Sequence, residues 1–98
     1  MKYGEICAQG DEMSFVLAIF RSRFATLSFA KMLRENNVPV AVINTPHKLA
    51  ESCGLSVKFA QEYFLLAQRL LAKSNLMRNF AGFHGFVQRN GLFEVVKM

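Results

Sequence analysis

The sequence has no tryptophan and only two cysteines, Cys7 and Cys53. Two cysteines cannot build a disulfide scaffold. The soft metal ligands Cys7, Cys53, His47 and His84 fall into no CxxC or HxxxH spacing, so no metal site and no cofactor are expected. There is no GxxxxGKS/T loop, no GxGxxG and no GxSxG elbow. Scattered carboxylates and two histidines make no evident acid–base pair. Nothing among these motifs identifies a conventional active site. Long apolar runs are missing too. The longest, Phe15–Phe20, is far below the ~20 residues of a membrane-spanning helix. The N-terminal residues Lys2, Glu5, Gln9, Asp11 and Glu12 enclose no apolar signal core, so a cytoplasmic protein with reduced thiols and no membrane partner is expected.

What is present describes one folded domain. The chain has 98 residues, of which 52% are apolar and 19% charged. Disordered chains are poorer in large apolar residues than this. Lys and Arg number 12 against 7 Asp and Glu, a net charge of +5. The positive excess lies in residues 13–98, because residues 1–12 hold Lys2 against Glu5, Asp11 and Glu12. From Tyr63 to Phe93 there is no carboxylate, but there are Arg69, Lys73, Arg78 and Arg89. Such a surface attracts anions and acidic partners, although no compact Arg-rich run marks a nucleic-acid site.

Periodicity divides the chain into a flexible leader over 1–12 and a single domain over 13–98. Ser14–Phe20 reads as a strand buried on both faces. Ser22 can cap a helix over Phe24–Asn36, which Asn36–Asn37 would end. In that helix Leu27, Ala30 and Leu33 form one apolar stripe, and Ala25, Phe29 and Met32 form a second that can serve a partner. Val40–Asn44 is a strand. Pro46 suits a first helical turn with Thr45 as cap, and His47–Ser52 would supply a turn or two. Leu55–Phe59 alternates as a strand does. Gln61–Lys73 is a second helix with a broad apolar face, and Leu65 falls in its polar arc. Gly82 and Gly85 loosen the strand Phe80–Gln88 and suggest a bulge or a close backbone approach. Asn90–Gly91 is a hairpin signal, with Phe93–Met98 returning. The order β-α-β-β-α-β predicts an α+β fold, a ferredoxin-like split βαβ sandwich with a C-terminal hairpin extension. Two helices would cover one sheet face and leave the other free.

Cys53 is the first candidate for chemistry. It stands in Glu51-Ser52-Cys53-Gly54, and glycine beside a loop thiol leaves it approachable. His47 and Lys48 can supply positive charge if the loop folds back. The alternative is a small buried residue where loop meets strand. Cys7 is either incidental or a resolving thiol. Phe15, Phe59, Phe83 and Phe86 lie on strands, and Gly82-Phe83-His84-Gly85-Phe86-Val87 faintly echoes an RNA-recognition signature. The echo falls on the last strand of the β-α-β-β-α-β order rather than the third, and phenylalanine at strand spacing is usually core. Nucleic acid is therefore not an expected partner.

Residues 14–88 resemble a small bacterial domain family described as putative selenium/sulfur carrier protein-like. The likeness runs through Phe15–Phe20, Asn37-Val38-Pro39 and, most specifically, Pro46 followed by Ser52-Cys53-Gly54-Leu55. His47 stands where that family usually has arginine. The resemblance implies that Cys53 is the functional thiol and carries a persulfide or selenopersulfide between donor and acceptor proteins. In that scheme Gly54 admits the partner's backbone, Ser52 hydrogen-bonds the terminal sulfur, and His47 or Lys48 offsets its charge. The competing class is a non-catalytic interaction or regulatory module. A homodimer through a helix or the edge strand Phe93–Met98 is compatible with either reading.

Overall fold

A computed structural model describes residues 12–46, 54–89 and 92–97. Chain order is β1 (Glu12–Phe20), α1 (Arg23–Glu35), β2 (Val40–Asn44), β3 (Leu55–Ala60), α2 (Phe64–Lys73), β4 (Phe80–Arg89) and β5 (Leu92–Lys97). Short 3₁₀ segments, Gln61–Tyr63 and Asn75–Asn79, lead into and out of α2. The fold is α+β, as the sequence predicts. The expected leader, apart from Glu12, and the turn Asn90–Gly91 lie outside the described residues, as does the helical turn over His47–Ser52.

Local chemistry accounts for the limits of α1. Ser22 is extended, at φ −122° and ψ 132°, and its Oγ accepts from the Ala25 N–H. Its carbonyl accepts both the N–H and the hydroxyl of Thr26, which satisfies that buried side chain. At the other end Asn37 takes φ 65°. The Val38 N–H then donates to the Leu33 carbonyl and the Asn37 N–H to the Arg34 carbonyl, at 2.9 and 3.0 Å. This pair of bonds closes a helix through a left-handed residue, and Val38 and Leu33 are both buried beside it.

The five strands lie in the order β2-β3-β1-β4-β5. Every neighbouring pair is antiparallel. β1 and β2 both oppose β3, so the strands joined by α1 run the same way with β3 between them. No parallel pairing exists among the described strands. The expected bulge is present: Ile19 pairs with Gly82 and Phe20 with Phe80, leaving Ala81 extra. Gly82 has φ 140°, a region that side chains avoid.

The main core lies between sheet and helices. Val16, Ala18 and Phe20 of β1 meet Val57 and Phe59 of β3, Ala25, Phe29, Ala30 and Leu33 of α1, and Ala67 and Leu71 of α2. Leu65 is 68% exposed, as its place in the polar arc predicts. The stripe Ala25, Phe29 and Met32 corrects the sequence reading. Ala25 and Phe29 are buried and Met32 packs on the core, so this stripe is not a spare partner surface. The physical reason is that α1 touches α2 as well as the sheet, and it needs a wide apolar arc. Leu27, assigned to the core stripe, is exposed instead.

The second sheet face is also not simply free. Leu17, Ile19 and Phe86 are buried there, with Phe15, Ile43 and Val95 packed around them. The Lys58 Nζ sits 4.5 Å from the Phe15 ring centre and 5.7 Å from that of Phe86. Phe59 and Phe83 belong to the helix side, edge to face at 6.4 Å. The strand phenylalanines therefore divide between two packed clusters rather than forming one stacking platform.

Candidate functional site

The expected site spans residues 45–54, between β2 and β3. Asn44 pairs with Leu55 at the last step of that ladder. Beyond it the chain is still joined, because the Thr45 N–H donates to the Gly54 carbonyl at 2.9 Å. The Thr45 hydroxyl lies 2.6 Å from the Ser56 hydroxyl. Ser56 is wholly buried, so this bond satisfies a group that water does not reach. Thr45 was expected to cap a helical turn with its side chain. The turn it would cap lies outside the described residues, and within them its hydroxyl reaches across the base of the loop to Ser56.

Of the predicted site residues, the structure describes Pro46 and Gly54. Pro46 is half-buried directly after the Thr45 clasp, and Gly54 is exposed. Gly54 takes φ 95°, and a Cβ built on it would meet no atom of the described residues within 4 Å. The glycine is thus demanded by backbone conformation rather than by crowding. His47, Lys48, Ser52, Cys53 and the second thiol Cys7 lie outside the described residues. The described residues therefore show the base of the loop: it is clasped between Thr45 and the start of β3, and it ends on a glycine with left-handed backbone.

Sequence reasoning missed the Thr45–Ser56 clasp. Its signal was a hydroxyl on each side of the loop, which becomes legible only once the β2–β3 register is known. Among the described residues no three of His, Cys, Asp and Glu gather into a metal site. No described helix is long and apolar enough to cross a membrane.

Comparison with known families adds to this frame. Residues 15–79 match the model of the family described as "Putative Se/S carrier protein-like". The chain belongs to this family. The match runs from β1 through α2 and the 3₁₀ segment Asn75–Asn79 and stops before β4, so it includes the whole 45–54 loop. Within the Se/S carrier-like family, then, this chain carries β4 and β5 outside the matched region. Comparisons with curated proteins and with solved structures gave no match.

Proposed function

We propose that this chain carries sulfur or selenium as a persulfide or selenopersulfide on Cys53. Membership of the carrier-like family supports the reading, and the left-handed backbone of Gly54, the residue after Cys53, is the structural observation that carries it. The strand order β2-β3-β1-β4 is the one a ferredoxin-like split βαβ sandwich requires, with β5 added at the edge. In such a sandwich a loop at the end of the sheet can present one thiol without a pocket around it.

The chemistry needs no oxidant. The Cys53 thiolate attacks the outer sulfur of a donor persulfide. A sulfur–sulfur bond forms at Cys53 while the donor's own breaks, and the donor leaves as a thiolate. The proton on the outer sulfur travels with it. An acceptor thiolate then attacks the outer sulfur on Cys53, which releases the Cys53 thiolate again. The same exchange holds with selenium as the outer atom. Only the thiolate is nucleophilic, so positive charge from His47 or Lys48 would favour the step. Ser52 would donate to the anionic outer atom. Cys7 would be dispensable for loading.

Incubation with glutathione persulfide tests this reading. Intact mass should rise by one sulfur that dithiothreitol removes, and a Cys53→Ala variant should gain none. A non-catalytic interaction module in a reducing cytoplasm is the second reading, favoured by Phe24 standing 77% exposed on α1. It predicts full partner binding without any sulfur adduct.

A further inference from the structure

Residue 53 directly precedes Gly54, which lies where β2 ends and β3 begins. β1 finishes at the same end of the sheet, because Ile19 pairs with Ser56. β4 starts there too, because Phe20 pairs with Phe80. Two further connections meet at this end: Arg21–Ser22, leading from β1 into α1, and the 3₁₀ segment Asn75–Asn79, leading from α2 into β4. They are tied together. The Arg21 N–H donates to the Asn79 carbonyl at 2.7 Å, and the Arg21 guanidinium donates to the Phe80 carbonyl at 3.1 Å.

Besides Asn75 and Asn79, the side chains exposed on these connections and on the first turn of α1 are arginines and large apolar groups. Arg21, Arg23 and Arg78 are exposed beside Phe24 and Met77, which are 77% and 53% exposed. Acidic residues of the described elements sit elsewhere. Glu12 opens β1, Glu35 closes α1 and Glu62 follows β3, all at the opposite end, while Glu94 lies along β5. Within the loop itself Lys48 and Glu51 offset one another in charge. The end of the sheet where β3 starts after Gly54 is therefore basic and apolar at once among the described residues.

That mixture has a meaning for recognition. Arginine, methionine and aromatic residues are the types enriched at protein–protein interfaces, and an arginine beside an exposed aromatic is a frequent hot spot. A single-stranded nucleic acid would want stacked rings on the sheet, but the strand phenylalanines are packed into clusters. We propose that Arg21, Arg23, Phe24, Met77 and Arg78 form the docking surface for a protein whose contact face carries carboxylates around an apolar centre, and that this protein exchanges sulfur or selenium with Cys53. The identity of the partner rests on the carrier reading; the docking surface does not. Opposite charge would steer the encounter, and Phe24 and Met77 would hold it.

The test uses the full chain and a synthetic peptide alternating glutamate with leucine and phenylalanine, followed by amide chemical shifts and a binding isotherm. Shifts should gather at 21–24 and 76–79 and spare Glu35 and Glu62. Affinity should fall at least about tenfold in R23E/R78E and severalfold in F24S. It should stay unchanged in Cys53→Ala. Absence of binding, or binding indifferent to R23E/R78E, would overturn the proposal, as would tighter binding of an oligouridylate. Loading by glutathione persulfide separates the two ideas. If the peptide docks as expected and Cys53 takes up no sulfur, the carrier reading fails alone. If Cys53 loads and the peptide ignores the cluster, the docking surface fails alone.

Discussion

Asn37 is the only described residue other than glycine with positive φ, at 65°. An L-residue there costs roughly 1–2 kcal/mol unless it is asparagine or glycine. Asn37→Ala should therefore destabilise the fold by about 1–2 kcal/mol, and Asn37→Gly should not, as urea midpoints can check. This position was legible, since asparagine before a proline-led strand is a short-range signal. The clasp between Thr45 and Ser56 was not, because its partners stand 11 residues apart and meet through strand register. Thr45→Val leaves the buried Ser56 hydroxyl without its partner. The expected cost is about 1–3 kcal/mol in denaturant unfolding, with the Gly54 amide exchanging faster. Lys58 is a similar case: its place over Phe15 depends on the pairing of β1 with β3, and nothing local announces it.

At the scale of elements, each strand and helix was readable to within a residue or two, and Gly82 announced the bulge. The exception is the start of α2, where Gln61–Tyr63 is 3₁₀ rather than α. Which stripe of α1 is core was not readable. Helical periodicity gives two candidate arcs, and the choice depends on where α2 and the sheet stand around the helix. The packing makes a sharp contrast between neighbours on α1. Phe29→Ala should cost about 3–5 kcal/mol, because Phe29 is fully buried and its ring meets Phe20 at 5.3 Å. Leu27→Lys should change stability by less than about 0.5 kcal/mol, because Leu27 faces solvent. Thermal unfolding of the two variants decides between this orientation and the reverse.

The whole molecule is a sheet with helices packed on one side, 19 Å along its shortest axis. That thickness suits one sheet layer and one helix layer, each roughly 10 Å deep. Such a shape gathers connections at the two ends of the strands. One end holds the clasped loop with the exposed Arg21, Arg23 and Arg78; Glu12, Glu35 and Glu62 lie at the other, with Arg34 beside Glu35. Composition alone reported the positive excess but not this polarity, which arises from strand direction. The most direct test of the carrier role compares two single-cysteine variants after glutathione persulfide treatment. Cys7→Ala should still gain one reducible sulfur by intact mass, and Cys53→Ala should gain none. Equal loading of both variants, or loading that survives only in Cys53→Ala, would contradict a carrier centred on Cys53.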